Sequence, residues 1–211
     1  MCPPAELWPR LEAFPSASLP RHVVGLKGDV VPWAKLTQVN SGGAAARSKR
    51  PSAVMMLFVP PQAPGSPAEL LFTKRSVHLK SHRGQISFAG GRCDPQDLSP
   101  AATALRELQE ELGVAPEAVT IVGTLPPVTA LDRQPVYPVV AMAAVRPDDL
   151  VMAVAEVEAV FTVPWPALAR GQGHGFSFNI FGNWRLAHSY PVPAGNIWGL
   201  TAHILHSASL E

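Results

Sequence analysis

The sequence predicts an α/β domain in which helices pack on a mixed β-sheet. Short apolar segments rich in β-branched residues alternate along residues 51–211 with segments of helical periodicity, and this alternation is typical of a sheet covered by helices. A chain of 211 residues, 47% of them hydrophobic, is long enough to bury a large core. Residues 1–50 contain proline breaks and end in a segment rich in Gly, Ala and Ser, so we expect a partly flexible N-terminal extension there.

The composition argues against several classes of protein. The chain has 17 basic and 16 acidic residues, whereas a nucleic-acid-binding domain would usually be strongly basic. Its two cysteines, Cys2 and Cys93, are too few for a disulfide framework or a four-thiolate zinc site, so we expect a reducing compartment. Charged residues make up 16% of the chain, which predicts exposed apolar surface of the kind that forms a homodimer interface.

The apolar runs also argue against a membrane protein. The first residues lack the basic segment followed by an apolar one that marks a secretory signal. The longest apolar runs, Ala53–Val59 and Val136–Val145, are much shorter than the roughly 20 residues of a membrane-spanning helix. We therefore expect a cytoplasmic protein that binds neither membrane nor nucleic acid.

The first predicted elements are two strands that form a hairpin. Ala53–Val59 is a continuous apolar run, Glu69–Lys74 is a second one, and the proline-rich segment between them is typical of a loop. A short strand around Gln85–Phe88 leads to a loop that contains Gly90 and Gly91.

A helix is predicted from Pro100 to Leu112. Ser99 is suited to cap its N-terminus, Pro100 fits its first turn, and Gly113 ends it. The remaining elements are predicted from apolar periodicity in the same way. They are strands at Val119–Gly123, Val136–Val145 and Val157–Val163, a short helix at Pro164–Arg170, a hairpin of Phe176–Phe181 with Trp184–Ala187, and a closing helix at Ile197–His206.

Three carboxylates share one face of the first helix. At about 100° per residue, Glu107, Glu110 and Glu111 lie within an arc of about 100°, opposite the leucine side chains that face the core. Carboxylates about 5–6 Å apart repel by roughly 3 kcal/mol per pair at an effective dielectric constant of about 20, and Arg106 alone cannot neutralise them all.

This acidic face has two interpretations. Hard oxygen ligands without nearby Cys or His favour Mg²⁺ or Mn²⁺, which would offset the repulsion. The alternative is a solvated acidic face stabilised by an ion pair between Arg106 and Glu110, one helical turn apart. The helix by itself does not decide between them.

A longer motif surrounds the helix. Gly91, followed by Arg106-Glu107-Leu108-x-Glu110-Glu111-x-Gly113-Val114, resembles the Nudix box, G-x5-E-x7-R-E-U-x-E-E-x-G-U, in which U is aliphatic. The chain departs from the box at Asp97, which stands in place of Glu, and eight rather than seven residues separate Asp97 from Arg106.

The segment before the helix resembles the coenzyme A pyrophosphatase signature of the Nudix family, L-L-T-x-R-S-x3-R-x3-G-x3-F-P-G-G-x2-D. The matching residues are Leu71-Phe-Thr-Lys-Arg75-Ser76, Lys80, Gly84, Phe88-Ala89-Gly90-Gly91 and Asp94. The departures are Phe72 for Leu, Lys80 for Arg and Ala89 for Pro. Lys80 keeps the positive charge but loses the bidentate geometry of Arg.

The resemblance implies a Nudix α/β/α sandwich that hydrolyses the diphosphate bond of coenzyme A or acyl-CoA. The products would be adenosine 3′,5′-bisphosphate and 4′-phosphopantetheine. The implied ligands of Mg²⁺ or Mn²⁺ are Glu107, Glu110, Glu111, the Gly91 carbonyl and, through water, Asp97.

The other implied roles concern proton transfer and the substrate. Arg106 would orient the carboxylates, and the general base is either in the box or in a later loop, where Glu156 and Glu158 are the candidates. The implied substrate-binding residues are Arg75, Ser76, Lys80, Gly84, Gly90 and Gly91.

Two other functions stay open. A Nudix hydrolase could act on another nucleoside diphosphate derivative, such as ADP-ribose, a dinucleotide or a dNTP. A non-catalytic nucleotide-binding module is the second alternative, and the complete set of Arg106 and three glutamates argues against it.

Overall fold

The computed structural model describes residues 50–63, 65–130, 134–168, 173–180 and 183–208, with side chains left out at 178–180 and 183–185. The extension predicted for residues 1–50 therefore lies outside the described residues, apart from Arg50. An eight-stranded mixed sheet forms the centre of the fold. Its strands are β1 (Ser52–Val59), β2 (Glu69–Arg75), β3 (Ile86–Ser87), β4 (Ala89–Arg92), β5 (Val119–Thr124), β6 (Val128–Thr129), β7 (Pro135–Ala143) and β8 (Val157–Pro164).

Strand β1 lies in the middle of this sheet. It runs parallel to β7 and antiparallel to β2 and β4, which share its other edge. The main order is β3-β2-β1-β7-β5, with β8 on β2 and β6 on β7. Because both faces of β1 are covered, its sequence is a continuous apolar run rather than an alternating one.

Helix α1 (Pro100–Leu112) covers one face of the sheet. The Ser99 hydroxyl accepts a hydrogen bond from the Ala102 backbone at 3.0 Å, and Gly113 ends the helix with φ of 70°. The predicted caps and bounds of this helix are confirmed. Its apolar side chains pack against alternate residues of β1 and β7. The side chains in this layer include Ala104, Leu108, Leu112, Met55, Leu57, Val139 and Ala141.

A second layer covers the opposite face. It contains α2 (Trp165–Leu168), α3 (Gly199–Ala208) and a three-stranded sheet. The strands of that sheet are β9 (His174–Ile180), β10 (Asn183–Val192) and β11 (Gly195–Trp198), in the order β11-β10-β9. Side chains such as Trp165, Tyr190 and Leu205 pack against Phe58 and Phe72 of the central sheet. The predicted α/β architecture of a mixed sheet between helical layers is confirmed.

Two details of the sequence prediction are wrong. The closing helix begins at Gly199, because Ile197 and Trp198 pair with Tyr190 and Ser189 as part of β11. Gly90 and Gly91 lie in strand β4 rather than in a loop. Glycine has a low strand propensity, so pairing with β1, not local preference, stabilises β4.

No helix within the described ranges is long and apolar enough to cross a membrane.

Gly90 is required by its close contact with β1. A Cβ at this position would lie 2.4 Å from the Ala53 carbonyl oxygen and 2.6 Å from Val54 Cα, and its φ of 151° disfavours other residues. We expect Gly90→Ala to lower the free energy of unfolding by about 2 kcal/mol or more. Urea denaturation measures this change.

Gly175→Ala is the matched control. A Cβ at Gly175 in β9 would lie 3.7 Å from Leu186 Cδ1, an ordinary contact, so the change should stay within about 0.5 kcal/mol. Equal losses in the two variants would contradict the close packing of β4 on β1.

Candidate active site

Helix α1 presents its carboxylates at the end of the central sheet where β2 and β4 approach it. The three glutamates of the helix differ in burial: Glu110 is exposed, Glu107 is partly buried, and Glu111 is buried. The acidic face predicted from periodicity therefore includes one carboxylate that faces the protein interior.

Arg106 is the centre of an ion-pair network on α1. Its Nη1 lies 2.9 Å from Glu110 Oε2, which confirms the predicted pair, and its Nη2 lies 3.0 Å from Glu107 Oε1. It also donates to the Arg92 carbonyl at 3.0 Å. These contacts hold Arg106 beside Glu107 and Glu110, and its orienting role stays a prediction.

Asp97 binds the same guanidinium from the other side. Its Oδ2 accepts from Arg106 Nη2 at 3.1 Å, from Thr103 Oγ1 at 2.9 Å and from the Asp94 backbone at 2.9 Å. Burial opposes ionisation of this carboxylate, but the hydrogen bonds from Arg106, Asp94 and Thr103 outweigh it and lower the pKa of Asp97. Asp97 thus holds Arg106, and its oxygens are engaged by protein donors.

Glu111 is enclosed between α1 and the sheet. Its side chain is 5% exposed, and Arg75 Nη1 approaches its Oε1 at 3.9 Å, which is too long for a hydrogen bond. Its Oε2 is buried without a hydrogen-bond partner in the described part of the chain. Burial raises the pKa of Glu111 to about 8, against the opposing charge of Arg75 and a hydrogen bond from the Gly90 backbone.

Glu107 lies directly over the glycines of β4. A Cβ on Gly91 would be 2.3 Å from Glu107 Oε1, so the Gly91 backbone is in contact with this carboxylate. Burial raises the pKa of Glu107 despite the nearby charge of Arg106. The structure therefore brings together Gly91, Glu107 and Glu111, three members of the ligand set that the resemblance implies, and their binding of an ion stays a prediction.

Arg75 ends strand β2 beside Glu111, and a loop leads from it to β3. The loop is closed at its base by two backbone hydrogen bonds. The Arg75 backbone N–H donates to the Gln85 carbonyl at 2.9 Å, and the Gly84 backbone N–H donates to the Arg75 carbonyl at 3.1 Å. Gly84 adopts φ of 63°, a conformation that favours glycine. Lys80 lies exposed within this loop, five residues after Arg75.

Ser76 is buried and fixes the turn. Its backbone N–H donates to the Glu156 carbonyl at 2.8 Å, and its Oγ accepts from the His78 backbone at 3.3 Å. These contacts join the start of the loop to the segment before β8. Its predicted contact with substrate stays a prediction.

The two candidate bases have different surroundings. Glu158 is paired with Lys74 Nζ at 2.7 Å on the neighbouring strand. Glu156 is exposed, and its charge raises the pKa of both Glu107 and Glu111, which places it beside the helix carboxylates. Of the two candidates, Glu156 is the one whose charge acts on the helix carboxylates, and its role as base stays a prediction.

The donor set fits a divalent metal ion. The buried, unpartnered Oε2 of Glu111 is an oxygen donor, and the charge of Arg75 opposes those of Glu107 and Glu156 at this carboxylate without keeping its pKa at the ordinary value. Within the described ranges, no group of three or more acidic, His or Cys side chains is arranged to hold an ion unaided. Mg²⁺ usually keeps several waters and shares substrate phosphates, so such an open set of ligands suits it.

Two contacts in this site have no signal in the sequence motif. Thr103 is buried, and its hydroxyl orients Asp97. The Gly90 backbone hydrogen-bonds Glu111. Hydrogen bonds from a backbone group or from a threonine inside a helix depend on tertiary placement, so no spacing rule would have identified them.

The fold and the site define an α/β protein built around a Nudix box. Residues 49–181 match the model of the NUDIX domain family, and the chain belongs to the Nudix hydrolase family. Nudix hydrolases generally use divalent metal ions such as Mg²⁺ or Mn²⁺. The family part of the sequence prediction is confirmed, and the coenzyme A substrate stays a prediction.

Related sequences carry the same family name. The chain is 37% identical over 174 residues to proteins of Salmonella paratyphi B and Salmonella newport that are each named uncharacterized Nudix hydrolase NudL. The matched region covers 78% of this chain and 83% of each relative.

Solved structures of the family are more distant. A Nudix hydrolase from M. smegmatis, RenU, is 23% identical with a TM-score of 0.47, over 66% of this chain and 82% of that one. The Nudix domain of Shewanella oneidensis NrtR, solved with ADP-ribose, is 21% identical with a TM-score of 0.43, over 65% and 86%.

The buried carboxylate predicts a trade-off between stability and metal binding. In the metal-free protein the pKa of Glu111 is about 8, above its ordinary value of 4.5, so ionising it costs folding free energy as the pH rises from about 4.5 to about 8. We expect Glu111→Gln to be more stable than the wild type at pH 8 by a few kcal/mol, since one pKa unit corresponds to about 1.4 kcal/mol. The difference should shrink towards pH 5.

Thermal unfolding with and without Mg²⁺ checks this prediction. Mg²⁺ should raise the Tm of the wild type and have a smaller effect on Glu111→Gln, because ligands that bind the folded state stabilise it. A variant that is less stable than the wild type at pH 8, with an unchanged response to Mg²⁺, would exclude Glu111 as a buried metal ligand.

Proposed function

We propose that this protein hydrolyses the diphosphate bond of coenzyme A or acyl-CoA with the help of Mg²⁺ or Mn²⁺. The observation that carries the proposal is the position of Arg75, at the end of β2, against the Glu111 carboxylate of the Nudix helix. This contact joins the segment that resembles the coenzyme A pyrophosphatase signature to the candidate metal site. The diphosphate is the part of the substrate that would contact both Arg75 and the metal ion.

The metal ligands in this proposal are Glu107, Glu110, Glu111 and the Gly91 carbonyl. A bound divalent ion supplies positive charge next to the diphosphate oxygens. Arg106 holds Glu107 and Glu110 in place, and Asp97 fixes Arg106. Asp97 thus supports the ligands through Arg106, and its predicted contact with the ion through water would be secondary.

The attacking group is water, and Glu156 is the proposed base. Its carboxylate accepts a proton from the water as the oxygen attacks one phosphorus atom, and the bridging P–O bond breaks. The products are adenosine 3′,5′-bisphosphate and 4′-phosphopantetheine. Glu158 is less suited to this role because it pairs with Lys74 on the neighbouring strand.

The substrate is proposed to lie between β4 and the loop that follows β2. Arg75 and Lys80 supply positive charge, while Gly84, Gly90 and Gly91 let the backbone approach closely. Gly90 and Gly91 also lie against β1 and Glu107, so they contribute to the shape of the cleft as well as to its access. Ser76 positions the loop through its hydrogen bond to the Glu156 carbonyl.

A second candidate is a hydrolase of another nucleoside diphosphate derivative, such as ADP-ribose, a dinucleotide or a dNTP. The departures at Lys80 and Ala89 favour it, because they change a phosphate contact and the residue before the two glycines of β4. The low fraction of charged residues predicts a homodimer, and the oligomeric state stays a prediction.

The products of a mixed incubation distinguish these functions. Purified protein with Mg²⁺ or Mn²⁺ is incubated with coenzyme A, acetyl-CoA, ADP-ribose, NADH and dGTP, and the products are identified by mass spectrometry. We expect phosphopantetheine together with adenosine 3′,5′-bisphosphate. AMP with ribose 5-phosphate, or dGMP with diphosphate, would reassign the substrate, and no turnover of any compound would favour a non-catalytic binding module.

Substitution of the two candidate bases separates their roles. We expect Glu156→Gln to lower kcat by about 100-fold or more, because a general base typically contributes that much. The matched variant Glu158→Gln should change kcat by less than about threefold, since it removes an exposed ion pair of small energy. A larger loss in Glu158→Gln than in Glu156→Gln would reverse the assignment. Steady-state kinetics at saturating Mg²⁺ measures both.

A further inference from the structure

Two polar atoms without partners lie close together between β2 and α1. Arg75 Nε and Glu111 Oε2 are both buried, and neither has a hydrogen-bond partner among the described residues. The ion-pair contact between the two side chains, from Nη1 to Oε1, is 3.9 Å long. Buried polar groups are nearly always satisfied in folded proteins, so each of these two atoms has the capacity for one further polar contact.

The position of Arg75 is fixed by strand β2. Leu71, four residues earlier, belongs to the core layer on the α1 face, and residues an even number apart share a face of a strand. The register shift between β2 and β8 at Lys74/Arg75 places its extra residue in β8, so the alternation along β2 is kept up to Arg75. The two backbone hydrogen bonds of Arg75 to Gln85 and Gly84 keep it out of the loop.

Two other cations near the site are paired with carboxylates. Arg106 is bound by Asp97, Glu107 and Glu110, and Lys74 is paired with Glu158. Lys80 lies exposed in the loop. Of these cations, Arg75 is the one that combines a buried, unused donor with contact to a helix carboxylate.

We infer that Arg75 binds the scissile diphosphate beside Glu111, and not the 3′-phosphate on the ribose. This inference rests on the proposed function and assigns the diphosphate, in the middle of the substrate, to one residue. A diphosphate oxygen accepts from the buried Nε–H, for which the guanidinium geometry is well suited. Glu111 Oε2, the other buried atom without a partner, would hold the divalent ion, which would supply positive charge for the same anion.

Two substrates that differ in the 3′-phosphate alone test this assignment. Coenzyme A and dephospho-coenzyme A have the same diphosphate. Arg75→Gln should lower kcat/KM by about 100-fold on both, as expected for the loss of a donor to the reacting group, and leave the ratio between the two substrates within about twofold of the wild-type ratio. A loss on coenzyme A with dephospho-coenzyme A unaffected would assign Arg75 to the 3′-phosphate and overturn the inference.

Binding without turnover gives an independent readout. Methylenebisphosphonate contains the P–C–P analogue of the diphosphate and lacks a 3′-phosphate, and its affinity in the presence of Mg²⁺ is measured by calorimetry. Arg75→Gln should weaken it by at least about tenfold, whereas Arg83→Gln, which removes an exposed charge from the same loop, should weaken it by less than about threefold. Equal losses in the two variants, or no loss in Arg75→Gln, would overturn the inference.

The conservative variant and a second substrate keep the test decisive. Arg75→Lys retains the charge opposite Glu111 and should fold normally, yet it loses the Nε donor and should lie between the wild type and Arg75→Gln. Wild-type activity there would overturn the inference. If the wild type cleaves ADP-ribose and neither coenzyme A compound, the proposed substrate fails, and the same loss in Arg75→Gln on ADP-ribose still tests Arg75.

Discussion

The Glu111 carboxylate lies buried between α1 and the central sheet, and the arrangement of the site follows from this burial. Leu108 and Leu112 fix the helix against β1 and β7, and this packing turns Glu111 towards the sheet. The cost of burying the charge is only partly offset by Arg75 and the Gly90 backbone. A divalent ion would offset the rest, which links the stability of the fold to occupation of its site.

Two arginines near this carboxylate have different contacts. Arg106 is surrounded by Asp97, Glu107, Glu110 and the Arg92 carbonyl, so it shapes the ligand set and has little capacity left for substrate. Arg75 has a long contact with Glu111 and a buried donor that is unused. The first arginine is therefore suited to structure and the second to an incoming anion.

The sequence predicts the elements that local chemistry determines. Ser99 and Gly113 fix the ends of α1, and the apolar runs predict β1, β2, β7 and β8. The sequence does not predict strands β4 and β11. Glycine-rich or very short strands form because of their pairing with neighbouring strands, which local sequence does not reveal. The motif predicts which residues form the site, but not that Glu111 is buried or that Arg75 faces it, since both depend on how β2 is placed beside α1.

A crystal structure with Mn²⁺ and methylenebisphosphonate tests the central claim most directly. The account predicts an anomalous peak for Mn²⁺ against Glu111 Oε2 and the Glu107 carboxylate, with a bisphosphonate oxygen accepting from Arg75 Nε. A metal ion bound by the Asp97 carboxylate and the Arg92 carbonyl would contradict it. So would a bisphosphonate that contacts Lys80 and makes no contact with Arg75.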